Sequence, residues 1–109
     1  MAQLTVFIGT ASQATYSGTP PVVKPGDSVL FILQNRTDTV TVEFDSGSPF
    51  SQKTFVLAGA NTFTAQQTKT VVAGASGTYR FQAVPGLLPG QPGTVSGDID
   101  VTPPQSPLP

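Results

Sequence analysis

Short runs in which apolar and polar residues alternate recur along this chain, and Gly, Pro, Ser, Asn and Asp cluster between them. Alternation with a period of two, broken by turn formers, is the pattern of an all-β domain. No segment sustains a 3.6-residue period, and Gly and Pro punctuate every candidate helix. Leu4, Val6 and Ile8 share one face of a first strand over Leu4–Ile8. A second extended piece lies near Pro21–Lys24. Lys24-Pro25-Gly26-Asp27 reads as a turn, because Pro25 presets φ at its second position and Gly26 supplies φ > 0 at its third. Ser28–Gln34 is apolar on both faces and predicts a central strand. Val40, Val42 and Phe44 alternate with Thr39, Thr41 and Glu43, which predicts a half-buried strand.

Ser46–Gln67 is less regular, and Phe50, Phe55, Leu57 and Phe63 are expected to cover one side of the core from it. Thr68–Val72 and Gly77–Val84 predict two more strands, the latter with Tyr79, Phe81 and Ala83 on one face and Arg80 and Gln82 on the other. Gly97–Val101 closes the set, with Ile99 and Val101 inward and Asp98 and Asp100 outward. The expected fold class is therefore all-β: a Greek-key β-sandwich of two sheets with seven to eight strands. Phe31, Val42, Tyr79, Phe81 and Ile99 are expected in its core. The domain spans 1–101. Residues 102–109 form a proline-rich tail or linker, since proline has no N–H to give a sheet.

Charge changes the picture mainly by its scarcity. Only 10% of the 109 residues are charged and the formal net charge is -1. Neither sign dominates, so nothing marks a nucleic-acid or anionic-membrane surface. No apolar run approaches the roughly 20 residues that span a bilayer, so no membrane insertion is expected. The opening Met-Ala-Gln-Leu-Thr-Val-Phe-Ile-Gly has neither the basic start nor the long apolar stretch of a secretory signal. The hydroxyl-rich, charge-poor composition nevertheless points to a periplasmic or secreted protein, with no signal peptide in this sequence.

Candidate chemistry is thin. The chain has no histidine and no cysteine, and its one methionine is Met1. Disulfides, thiol nucleophiles and cysteine-based zinc sites are excluded. Serine and threonine have no histidine to activate them, and Lys24, Lys53 and Lys69 have no evident base role. Asp98 and Asp100 lie two apart on a strand. That spacing marks a solvated face more readily than the six or more converging oxygens a hard cation needs. A paired-carboxylate glycosidase would lack an aromatic platform, with no Trp and two Tyr. Asn35-Arg36-Thr37 fits a glycosylation sequon, but is read here as a polar turn between two strands. No catalytic residues and no cofactor are expected.

Three segments carry a family resemblance. They are Val23-Lys24-Pro25-Gly26-Asp27-Ser28-Val29-Leu30-Phe31; Asn35-Arg36-Thr37 with Val40-Thr41-Val42-Glu43-Phe44; and Gly77-Thr78-Tyr79-Arg80-Phe81-Gln82-Ala83 followed, after a loop, by Ser96-Gly97-Asp98-Ile99-Asp100-Val101. In this order they resemble the cupredoxin (plastocyanin-like) family. That resemblance implies a cupredoxin-like sandwich whose copper ligands would fall on Val40, Ala83, Gly86 and Val95. None of the four offers the imidazole, thiolate or thioether that such copper takes. The resemblance thus implies a member lacking all copper ligands, with no metal bound.

The segment 84–93 holds Leu87 and Leu88 between prolines and glycines. In cupredoxins the loop at this end docks partners, so Leu87 and Leu88 are the candidate contact surface. The competing reading is that one leucine folds inward and plugs the space copper would occupy. The expected function is a copper-free, non-enzymatic protein-binding or structural module, its partner another protein or a second copy. Two alternatives stand beside it: a copper-handling or electron-transfer protein with an unrecognised site, and an immunoglobulin-like module of an adhesin, pilus or phage particle.

Overall fold

The computed structural model describes residues 3–18, 21–34, 36, 38–45, 47–59, 65–85 and 93–102. Nine strands run in chain order: β1 (Gln3–Ile8), β2 (Thr15–Tyr16), β3 (Val22–Val23), β4 (Ser28–Leu33), β5 (Thr39–Phe44), β6 (Thr54–Ala58), β7 (Gln66–Thr70), β8 (Gly77–Pro85) and β9 (Val95–Val101). They form a four-stranded sheet, β2-β1-β4-β7, and a five-stranded sheet, β3-β9-β8-β5-β6. The chain passes repeatedly from one sheet to the other, which is how a Greek-key sandwich is wound. No described residue is helical, so no helix is long and apolar enough to cross a membrane.

Both sheets are mixed. β1 lies parallel to β4 with Val6 opposite Phe31, and β3 lies parallel to β9; the other pairings are antiparallel. The parallel pair at the centre of the smaller sheet sets the fold apart from an immunoglobulin domain, whose sheets are antiparallel.

The alternation read from the sequence decides which side of each strand is buried. Leu4, Val6 and Ile8 of β1, Val29, Phe31 and Leu33 of β4, Val40, Val42 and Phe44 of β5, and Ile99 and Val101 of β9 all point into one core. β4 is central, as its two apolar faces predict. Five phenylalanines meet in the middle: Phe31 makes edge contacts with Phe50, Phe55 and Phe81, and Phe44 packs on Phe50 and Phe81. Such tilted and edge-on pairs are favoured by the ring quadrupole. The Lys24–Asp27 turn closes as read, with Asp27 N–H donating to Lys24 O at 3.0 Å and Gly26 at φ 92°.

Several details differ from the sequence reading. β2 and β6 are additional strands, β7 runs two residues earlier than the expected Thr68–Val72, and β9 begins two residues before Gly97. β2 is only two residues long, and β6 pairs with β5 and buries Phe55 and Leu57 while Val56 faces out, in a region whose irregular pattern hid it. Tyr79 is partly buried, because its hydroxyl reaches the surface to accept the Ser76 N–H at 3.1 Å, while Phe31, Val42, Phe81 and Ile99 are buried. Phe63 lies outside the described residues.

Candidate functional site

The C-terminal ends of β1 and β4 and the start of β5 converge at one end of the sandwich, and the staple that joins them is an ion pair. Arg36 Nε donates to Asp38 Oδ1 at 2.7 Å and Nη2 to Oδ2 at 2.6 Å, a bidentate fork. Its remaining terminal nitrogen, Nη1, donates to the Gly9 carbonyl at 2.8 Å, just beyond β1. Gly59 N–H, just beyond β6, donates to the Asp38 carbonyl at 2.9 Å. Three segments that are distant in sequence meet here: the Arg36 side chain ties its own segment to Gly9, and the Asp38 backbone ties it to Gly59. Their side-chain exposures are 0% and 2%. The hydrogen bonds from Arg36 hold the Asp38 carboxyl below its ordinary range, against the opposing push of burial.

This pair was not legible as a site. The Arg36 segment reads as a polar turn, yet Arg36 is buried. The available signal was two opposite charges two residues apart in a chain that is otherwise nearly uncharged.

Three of the positions matched to copper ligands, Val40, Ala83 and Val95, lie at the same end. Ala83 is in register with Val42 on one side and Val95 on the other, and Val40 stands opposite Pro85. Val40, Ala83 and Val95 are each fully buried in the apolar core. The structure therefore brings three of the four matched positions together. Their aliphatic side chains carry no lone pair to offer a metal, so they do not fit copper. Gly86, Leu87 and Leu88 lie outside the described residues; the segment that holds them joins Pro85 to Gly93. Among the described residues no three carboxylates, imidazoles or thiols come together in a metal-holding group.

The third feature is the edge of β9, which sequence reasoning missed. Two separate segments supply its outer partner. Ser96 N–H donates to Ser12 O and Ala14 N–H to Ser96 O; further along, Asp100 N–H donates to Pro21 O and Thr102 N–H to Val23 O, all at 2.9–3.0 Å. Between them the ladder has a gap at Asp98. The hydroxyl of Tyr16 fills it, accepting the Asp98 N–H at 3.0 Å. Burial and the nearby Asp98 carboxylate raise the Tyr16 hydroxyl pKa, although the Asp98 N–H bond pulls the other way. Beside this gap a cleft of about 330 Å³ is lined by Gln13, Tyr16, Arg80, Ser96 and Asp98.

No protein-family model and no curated protein matches the chain. Among solved structures it is similar to a pseudoazurin from Sinorhizobium, with 20% sequence identity, 94% of this chain and 75% of that one covered, and a TM-score of 0.46. A likeness of that degree gives no residue here a role. The two-sheet sandwich itself rests on this chain's own strands.

Proposed function

We propose that this chain is a copper-free, cupredoxin-like domain that acts by contact, as a non-enzymatic protein-binding or structural module outside the cytoplasm. The observation that carries the reading is the burial of Val40, Ala83 and Val95 in apolar packing at the end where the resembling family would place its ligands. A chain with no imidazole and no thiol has nothing else with which to build a tight soft-metal site there. The Arg36–Asp38 staple supports the same reading, since it fixes the connecting segments at this end as a rigid platform. The 86–92 segment, with Leu87 and Leu88, connects β8 to β9 in the chain and is the proposed contact surface.

Two measurements test the reading. The first is titration with Cu(II), and with Cu(I) under anaerobic conditions, followed by visible absorption and EPR. Stoichiometric binding at sub-micromolar concentration overturns the copper-free assignment. The second compares the self-association of the chain with that of the Leu87→Ser/Leu88→Ser double variant by sedimentation velocity. Loss of association with an unchanged thermal midpoint supports a contact role. A variant that unfolds makes the leucines core plugs and ends it.

A further inference from the structure

We propose that the cleft at the split edge of β9 binds a single neutral sugar ring. The proposal uses residues separate from Leu87 and Leu88 and stands whether or not those form a contact surface.

The cleft exists because the edge partner of β9 is interrupted. Tyr16 replaces one missing partner with its hydroxyl oxygen, which accepts the Asp98 N–H. The tyrosine's own proton is then left to donate, and no described residue accepts it. Its raised pKa keeps that proton in place at neutral pH. The ladder position facing the Asp98 carbonyl is Pro21, because Asp100 N–H already bonds Pro21 O in a parallel register. Proline has no N–H to return. A hydroxyl donor and a backbone acceptor are therefore both available within the gap.

The charges around the opening narrow the ligand class. Arg80 and Asp98 are cross-strand partners, both exposed, and no ion pair joins them. One positive and one negative group give the opening no net charge, so the ligand is neutral overall. Exposed charges bind weakly through water, so recognition falls to the sheltered hydroxyl and edge groups, which suit ligand hydroxyls. Ser96 and Gln13 add a hydroxyl and an amide to the lining. At about 330 Å³ the cleft lies at the small end of ligand pockets, a size for one small ring and not for an extended chain. Tyr16 is partly buried against the core and is the cleft's one aromatic among the described residues, so binding is weak, on the order of millimolar.

The test is an amide ¹H–¹⁵N titration of the labelled chain with the methyl α-pyranosides of glucose, galactose and mannose, and in parallel with glycine and serine. The expected result is a saturable shift for at least one sugar, confined to Gln13, Ala14, Ser96, Gly97 and Asp98. Tyr16→Phe, which removes the sheltered hydroxyl, should weaken that binding about tenfold, while Arg80→Ala, at an exposed position, should leave both the binding and the thermal midpoint nearly unchanged. The Leu87→Ser/Leu88→Ser variant should bind the sugar unchanged. Absence of a saturable shift with every sugar overturns the proposal. So does a response to the amino acids alone, which would make the ligand a zwitterion, or a sugar response that maps outside the cleft.

Discussion

Gly97 lies directly against the ring of Phe81, with no space between them for a methyl group. A Cβ added at Gly97 would collide with Phe81 Cζ and stand 2.7 Å from the Tyr16 hydroxyl. Gly97 faces inward from β9, one residue before Asp98, so the absence of a side chain lets Phe81 and Tyr16 occupy the same level of the core. The glycine here serves close packing, not an unusual backbone angle.

Gly97→Ala should therefore destabilise the domain by about 1–3 kcal/mol, the usual cost of overpacking. Urea denaturation measures it. Phe81→Ala should cost about 3–5 kcal/mol by leaving a cavity. The two changes share one space, so the double variant should be less destabilised than the sum of the singles. Strict additivity would mean that the Phe81 ring moves aside without cost.

Tyr16→Phe should remove the acceptor for the Asp98 N–H and leave that amide at an open edge. Because the site is partly solvated, the loss should be about 1 kcal/mol, toward the low end for an unsatisfied donor. Hydrogen exchange reports it locally. The Asp98 amide should lose protection, while Phe81 and Ile99 amides, paired within the β8–β9 ladder, should change only with global stability.

How much of this was readable in the chain depends on whether the feature is periodic. The faces of β1, β4, β5, β8 and β9 follow from period-two alternation, and the Lys24–Asp27 turn follows from Pro25 and Gly26. Both are local rules. The Tyr16–Asp98 bond joins residues 82 apart, and nothing local announces that a two-residue strand will aim its hydroxyl at a gap in another sheet. The burial of Arg36 was missed for a related reason. Its polarity fits a turn, and its burial depends on Gly9, 27 residues earlier, and on the carboxylate of Asp38. The positions Val40, Ala83 and Val95 were legible only through family resemblance, because three aliphatic residues carry no chemical signal of their own.

The Arg36–Asp38 pair gives the sharpest stability prediction. Asp38→Asn keeps the shape but leaves the buried guanidinium without its countercharge, and should cost about 3–5 kcal/mol. Replacing both residues by apolar ones, Arg36→Met/Asp38→Leu, removes the desolvated charges together and should be far milder at pH 7. The pH dependence follows from the direction of the Asp38 shift. Its folded pKa is lowered, so the stability it contributes is fully present above the unfolded value of about 3.9. That contribution is lost as pH falls below that value toward the folded pKa, where the proton binds in both states. Urea midpoints taken from pH 7 down to pH 2.5 should thus fall more steeply for the natural chain than for the doubly apolar variant. Parallel curves would show that the pair is already broken or solvated in the folded state.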